Sequence, residues 1–583
     1  MDRREFLAAS AATLAVASSQ FAPSLFAAEA ARRPVGADLP WTTYPAAQMQ
    51  TNGLRIAPEY APFLIQMEST AQRCVGLANP GEYVEFSAAA GANAIVVRYA
   101  IPDTKDGAGQ DSALELLVNG KLVRTLPLTS RYSWRYGLYP FTNNPNDGRP
   151  RNFYDEVRAQ GLNIAKGDRI RLQRPAGSTA SCVLDLVDLE QVAAPLAQPA
   201  DSLSLADFGA RADGRSDATE PLRRLIAEAA RQKKIAWVPA GEYLLTGDIP
   251  LASGVTLQGA GMWHTTFVGD DKLYAKPSRR LRFVLTGADI HLADFALTGR
   301  LKTRIDNEQN DGIFGARASH CTVSRLWIEH TKVGMWFYVC DHITIDSCRL
   351  RNTLADGINF CVDVRDSVIE NCSARGTGDD CFAIWPAASD QSFQQQAPNP
   401  GNNVIRRCTG QLPSLAQGAA IYGGADNRIE DCLFTDIASG CGILISTTFP
   451  TSGGKFDNNF SGHTVIRNCQ LVRCGGYDHN WAWRAALQIA LDRRSISGLR
   501  LSGLTLRDSL SDAFSIASAP NAASHIELTD SQFDEVEISG YGLGAKGRHG
   551  FCVQEGIHGE ASLLRSSVAD VKNDSRHFKL VRD

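Results

Sequence analysis

The middle of the chain repeats one pattern: an apolar residue, two polar residues and a cysteine. It reads Ile345-Asp-Ser-Cys348, Ile369-Glu-Asn-Cys372, Ile405-Arg-Arg-Cys408, Ile429-Glu-Asp-Cys432 and Ile466-Arg-Asn-Cys469. Cys348 to Cys372 is 24 residues, and so is Cys408 to Cys432. The wider gaps, 36 and 37 residues, hold one repeat plus a polar insert, Asp390 to Asn403 and Thr447 to Gly462. A period of this size, with short β-branched strands between Gly, Asn and Asp, predicts a parallel β-solenoid. Each repeat is one coil, and coils stack at strand spacing, ~4.8 Å. The first coils are Ile235-Ala-Trp-Val-Pro239, Gly241-Glu-Tyr-Leu-Leu245 and Val255-Thr-Leu-Gln-Gly259, and the texture persists to about residue 570 through His525-Ile-Glu-Leu528. A solenoid must cover its open hydrophobic end. The stretch before the first coil predicts an amphipathic helix that does so. Asp217 and Glu220 form a capping box, Pro221 sits in the first turn, and Leu222, Leu225, Ile226 and Ala229 keep helical spacing.

Residues 29–195 alternate with a period of two. Tyr83-Val-Glu-Phe86, Ala94-Ile-Val-Val-Arg-Tyr99, Leu114-Glu-Leu-Leu-Val118, Asp168-Arg-Ile-Arg-Leu172 and Val183-Leu-Asp-Leu-Val187 predict strands, and Val118-Asn119-Gly120-Lys121 predicts a hairpin turn. Together they predict an antiparallel β-sandwich. Residues 196–204, within and after the run AAPLAQPA, form the linker, and residues 205–583 the solenoid. Tyr132, Trp134, Tyr136 and Tyr139 cluster in one loop-rich stretch. They suit a sugar-stacking surface, but packing of the sandwich against the solenoid is the stronger reading.

The repeat places the chemistry. Asp356 lies 11 residues after Ile345, and Asp380 lies 11 residues after Ile369. The two are therefore stacked neighbours on adjacent coils, about 5 Å apart. Asp379 would alternate to the opposite face of a strand, but the turn at Gly378 lets both Asp379 and Asp380 face outward. Three like charges at that range raise at least one pKa, which is costly for stability and useful for acid/base work. No Ser or Cys nucleophile with a His partner accompanies them. Paired carboxylates beside Trp336 and Trp385 suit glycoside hydrolysis. At about 5 Å, Asp356 and Asp380 are too close to stand on opposite sides of a sugar, which takes roughly 6.5–9.5 Å. Together they can hold one water, with Asp379 as the general acid, an inverting arrangement.

Composition removes some partners. The 59 Lys and Arg against 63 Asp and Glu leave a net charge of −4, so nothing points to nucleic acid or a membrane surface. Residues 1–28 are an exception to the soluble texture: Asp2-Arg3-Arg4-Glu5-Phe6-Leu7 and the apolar run to Ser18 read as a twin-arginine signal with Ala27 and Ala28 for cleavage. A periplasmic or secreted protein follows. Of the 14 cysteines, five share one register and read as a buried ladder of small apolar groups; Cys74 and Cys182 are the pair with the best prospect of a disulfide.

The opening Ala206-Asp-Phe-Gly-Ala-Arg-Ala-Asp-Gly214 resembles the start of the pectate-lyase-like right-handed β-helix proteins. More specifically, Leu326-Trp-Ile-Glu-His-Thr-Lys-Val-Gly-Met-Trp336, Ala355-Asp-Gly-Ile-Asn359, Gly376-Thr-Gly-Asp-Asp380 and Ala383-Ile-Trp385 resemble glycoside hydrolase family 87, the bacterial α-1,3-glucanases. Tyr132-Ser-Trp134 through Pro150-Arg-Asn-Phe-Tyr154-Asp-Glu156 is similar to that family's sandwich domain, so the likeness covers most of the mature chain. The resemblance implies an all-β fold, a right-handed parallel β-helix preceded by an antiparallel β-sandwich of carbohydrate-binding type. It implies an inverting hydrolase with Asp356, Asp379 and Asp380 as catalytic residues, and analogy to polygalacturonases makes Asp379 the acid. Where polygalacturonases carry Gly-His-Gly and Arg-Ile-Lys, this chain has Gln417-Gly-Ala-Ala-Ile-Tyr-Gly423, which argues against pectin.

The expected substrate is an α-glucan, bound by Trp336, Trp385, His330, Lys332, Tyr422 and Asp311, with His479, Trp481 and Trp483 along one wall. The expected state is a monomer, and no cofactor is required. Two other readings stand. One is a hydrolase or lyase for an acidic, uronate polysaccharide: Arg351 and Arg375 stack in register as a carboxylate-binding ladder, unless they form solvated ion pairs with Asp346 and Glu370. The other is a non-catalytic polysaccharide-binding solenoid whose aspartates hold a structural Ca²⁺.

Overall fold

A computed structural model describes residues 34–178, 180–276, 279–309, 311–386, 400–449, 459–480, 482–518 and 525–583. The signal segment, most of both polar inserts and Trp481 lie outside the described residues. Among the described residues no helix is long and apolar enough to cross a membrane.

Two antiparallel sheets make the N-terminal sandwich. The first runs Leu54–Ile56, Cys74–Leu77, Cys182–Glu190, Ala92–Ala100, Asp155–Ile164, with Trp41–Pro45 also on Cys182–Glu190. The second runs Gln50–Thr51, Tyr83–Ser87, Arg169–Gln173, Asp111–Val118, Lys121–Thr129. Asn119 and Gly120 take φ of 52° and 81°, the left-handed pair that a two-residue hairpin demands, and Val118 pairs with Lys121. Inward positions of both sheets, such as Ile95, Val97, Leu114, Leu116, Ile170 and Leu172, close one apolar core.

Beyond the sandwich the chain winds as a right-handed parallel β-helix. Its two long ladders hold 23 and 12 strands. The repeat register is the coil register: Ile345 pairs with Ile369, Ile369 with Ile405, Ile405 with Ile429, and Ile429 with Ile466. Cys348, Cys372, Cys408, Cys432 and Cys469 stack inside, each at most 1% exposed, and the amides of Cys348 and Cys408 donate to the Sγ atoms of the next coil. Cys74 and Cys182 are free thiols rather than a disulfide, and burial pushes both up to about 12.

The helix Thr219–Gln232 covers the open end with Leu222, Leu225, Ile226 and Ala229. Its N-terminus differs from the expected capping box. The Asp217 carboxylate accepts the Thr219 amide and hydroxyl and the Thr246 hydroxyl, while Glu220 turns to Arg223 at 2.5 Å. The coils also begin slightly early, since Ser202–Ser204 already pairs with Ile235–Val238.

Candidate active site

The outer face of the 12-stranded ladder floors a cleft of about 620 Å³. Side chains in one outward row pair in register, Trp336 with Asn359, Asn359 with Ala383, Ala383 with Ala420 and Ala420 with Leu444. At the N-terminal edge of that floor the turns before Ile358–Arg365 and Phe382–Trp385 carry the aspartates. Gly334 N–H donates to Asp356 O and Gly357 N–H to Asp380 O, so Asp356 and Asp380 are coil neighbours. Asp379 joins them rather than pointing away: carboxylate oxygens of all three lie within 4.8 Å of one another. The convergence is the one that the turn at Gly378 allows, and at this range carboxylate separation alone selects no stereochemistry.

The three differ in surroundings. Asp380 is buried, and both its oxygens accept bonds: Gln417 N–H to Oδ1 and Tyr422 O–H to Oδ2, each at 3.0 Å. Burial first, then Asp379, pushes its carboxyl well above the ordinary value. Burial, then Asp379 and Asp380, does the same to Asp356, against which Arg304 and a bond from Asn359 act only in part. Asp379 is the accessible member, its side chain 24% exposed, and pairs with Arg304 at 2.6 Å. Arg304 also holds Asp306 at 2.6 Å and donates to Gly378 O at 2.8 Å.

Gly378 makes this crowding feasible. A Cβ there would run into the Leu354 carbonyl and meet Arg135 Nη1 at 2.5 Å. Gly378→Ala is therefore expected to push the two aspartate turns apart and cut turnover about 10²-fold, the cost of a displacement near 1 Å. Steady-state kinetics on the folded variant checks this; wild-type turnover would refute it.

Trp336, Trp385 and Tyr422 line the cleft as expected. Trp336 and Trp385 meet edge to face at 6.0 Å, and both indole N–H groups are buried without a partner among the described residues, so it is the ring surfaces that the pair offers to the cleft. Lys332 reaches the wall, but its ammonium is committed to the carbonyls of Asp306 and Glu308, and burial lowers its pKa to about 8. It anchors the loop that carries Arg304. Two expected binders lie elsewhere. His330 is buried, bonds Asp155 of the sandwich at 2.7 Å and stacks on Tyr132 at 4.6 Å. Asp311 is fully buried, accepts from Tyr274 O–H and Lys332 N–H, and is pushed by burial up to about 6. His479 does stand on the wall, against Tyr139 at 4.9 Å. Trp483 packs beneath with Met67 and Leu510.

The repeat gives no sign of Arg304, Phe449 or Arg484, which come from loops between coils, yet all three line the cleft. Asn359 was legible in principle, since the coil register pairs it with Trp336, which the sequence singles out.

The sandwich is part of this site. Tyr132 is covered between the two domains, against Asp271, Arg300 and His330, whereas Trp134 packs on Phe153 and Tyr136 bonds Asp103 within the sandwich, and Tyr139 reaches the cleft. Arg351 and Arg375 are not a solvent-facing ladder. Both side chains are 1% exposed: Glu156 of the sandwich lies 3.5 Å from Arg351 and 2.5 Å from Arg375, which also meets Asp188 at 2.8 Å. Neither pairs with Asp346 or Glu370, because strand pairing turns them toward the sandwich. Beside them Arg349 grips Glu190 through two bonds of 2.7 Å.

A parallel β-helix bearing a carboxylate trio in an aromatic-walled cleft defines a class, the glycoside hydrolases of this fold. Two family models match, α-1,3-glucanase catalytic domain D1 over residues 38–192 and catalytic domain D2 over residues 220–486. The catalytic unit of a thermostable family 87 α-1,3-glucanase from Streptomyces thermodiastaticus strain HF3-3 is similar at 28% identity and TM-score 0.79, over 94% of this chain and 96% of that one. The Agl-KA catalytic domain shares the fold at 24% identity and TM-score 0.82, over 94% and 98%. So does a family 87 α-1,3-glucanase catalytic domain in complex with tetrasaccharides, at 22% identity and TM-score 0.77, over 94% and 99%. Comparison with curated proteins gives no match. The chain belongs to the α-1,3-glucanase family, glycoside hydrolase family 87.

Proposed function

We propose that this protein hydrolyses α-1,3-glucosidic linkages in a polysaccharide with inversion at the anomeric carbon. The observation that carries the hydrolase reading is the trio of Asp356, Asp379 and Asp380 within 4.8 Å on the cleft floor, and inversion rests on the resemblance to family 87. Asp356 and Asp380 hold a water, and Asp380 is fixed as an acceptor by Gln417 and Tyr422. The water oxygen bonds to the anomeric carbon as the glycosidic C–O bond breaks. Its proton passes to the Asp356–Asp380 pair, and the leaving oxygen takes a proton from Asp379, the role that analogy to polygalacturonases gives it. The carboxylates are close enough for the proton to return to Asp379 between turnovers. The reaction draws on the carboxylates alone and needs no cofactor, although the same oxygens would fit a divalent cation's shell.

Solved complexes of a related domain support the assignment. Three aspartate-to-alanine variants of it hold nigerose or tetrasaccharides, and those three positions have the spacing of Asp356, Asp379 and Asp380. Export is part of the proposal, supported by the twin-arginine pattern in residues 1–28.

The test is reducing-end release from α-1,3-glucan, nigeran, dextran, polygalacturonate and alginate, with and without chelator, and with Asp379→Asn as control. Release from α-1,3-linked glucan that survives chelation and falls about 10³-fold or more in the variant is expected. Release from a uronan alone would overturn the substrate, and binding of glucan without any release would leave a polysaccharide-binding protein.

A further inference from the structure

We propose that Arg135, supplied by the sandwich domain, is a positioning residue for the catalytic aspartates. The proposal rests on the hydrolase reading above and names a residue outside the β-helix on which that chemistry depends.

Arg135 stands in the loop between the strands Lys121–Thr129 and Asp155–Ile164, where its backbone pairs with Arg151. Its side chain leaves the sandwich and ends under the aspartate turns, 1% exposed. Nη1 donates to the Leu354 carbonyl at 2.5 Å, and Nη2 donates to Ser414 Oγ at 2.7 Å. These two anchors flank the trio. Leu354 is two residues before Asp356, and Ser414 is three residues before Gln417, whose N–H binds Asp380. Ser414 N–H in turn donates to Thr377 O at 2.8 Å, just ahead of Gly378 and Asp379. One guanidinium thus ties together the three consecutive turns that carry Asp356, Asp379–Asp380 and Gln417.

Arg304 approaches the same carbonyl from the other side, at 3.3 Å, while pairing with Asp379. The two cations share a hub. The guanidinium carbons of Arg135, Arg151 and Arg304 lie 5.3, 5.5 and 5.7 Å from the ring centroid of Phe141. Phe141 packs on Leu415 and Ala416, beside Ser414 and Gln417. Burial, then Arg304, lowers the Arg135 pKa to about 9, so holding two guanidiniums together is costly. The carbonyls and carboxylates they face offset that cost. An arrangement that opposes stability locally and touches all three aspartate-bearing turns is one expected of a catalytic support.

The test uses the full chain and four proteins, wild type, Arg135→Met, Arg135→Lys and Ser414→Ala, on α-1,3-glucan. Arg135→Met is expected to lower kcat about 30-fold with KM within about twofold, because turn geometry and not sugar contact is lost. Its kcat–pH profile is expected to shift, since a cation beside the trio has gone. Arg135→Lys should recover part of the loss, and Ser414→Ala, which keeps the charge and frees one anchor, should lose about threefold. Thermal unfolding of each variant guards against simple misfolding. An active wild type with Arg135→Met at unchanged kcat and pH profile would overturn the positioning role alone. A fall in kcat matched by Ser414→Ala retaining full activity and by no lysine rescue would also overturn it. A wild type silent on α-1,3-glucan sinks the hydrolase reading and this proposal together.

Discussion

Asp380→Asn is expected to cut turnover on α-1,3-glucan by about 10³-fold or more and yet to make the folded protein more stable. The two effects share one cause. Asp380 is 4% exposed and sits within 4.8 Å of two other carboxylates. Burial, then Asp379, raises its pKa well above the ordinary 3.8, and the bonds from Tyr422 and Gln417 do not undo this. A carboxyl whose pKa is raised on folding leaves stability intact below its unfolded value. That stability is lost as pH rises through the folded value. Asparagine does not titrate. Its Oδ1 can keep the Gln417 N–H, and its amide can donate to Tyr422, whose hydroxyl turns to accept. The Tm of the variant should therefore exceed that of wild type by about 2 °C or more at about pH 8, with the gap closing toward about pH 4. Kinetics and thermal unfolding across pH on the same samples decide it. A variant that is inactive but equally destabilised at every pH would mean that Asp380 is merely structural.

How far the sequence reached depends on what kind of neighbour each residue has. The coil repeat converts sequence distance directly into spatial distance, so Asp356 and Asp380 could be stacked from Ile345 and Ile369 alone. Trp336, Trp385 and Tyr422 follow from the same register. Asp379 was harder, because the turn at Gly378 interrupts alternation and brings it onto the other two. His330 and Asp311 looked like binders because polar residues near a site suggest contact with substrate. Their actual partners lie off the repeat, Asp155 in the other domain and Tyr274 37 residues away within the β-helix, and no local pattern announces either pairing. The same holds for Arg351 and Arg375, whose spacing was read correctly and whose direction was not. Arg304 and Arg135 arise from segments outside the repeat. Arg304 reaches the trio from a loop between coils, and the place of Arg135 is a property of how two domains pack.

That packing carries the second large effect. Glu156→Gln is expected to destabilise the protein by about 3 kcal/mol, because it leaves Arg351 and Arg375 buried with too little negative charge. Glu156 opposes burial by sitting between both arginines. Desolvation alone would raise its carboxyl, but Arg375 and then Arg351 outweigh that and hold it below its usual 4.5. The two arginines share it unequally. Arg375, at 2.5 Å and with Asp188 besides, is held above its ordinary value, whereas burial and the adjacent Arg375 push Arg351 down to about 9. Removing the Glu156 charge therefore strands Arg351 first. A double substitution with Arg351→Met should recover about half the loss, since a buried ion pair replaced by apolar groups is often near neutral. The pH dependence has the opposite sign to that at Asp380. A carboxyl depressed on folding contributes stability above its unfolded pKa, which is lost as pH falls through the folded value. The Tm deficit of Glu156→Gln should thus be full above about pH 5 and shrink in acid. Arg351 and Arg375 each precede an aspartate turn by four or five residues, so turnover should fall with stability here. If Glu156→Gln left Tm unchanged across pH, the sandwich and the β-helix would not be held by these charges, and the site between them would owe its geometry to apolar packing alone.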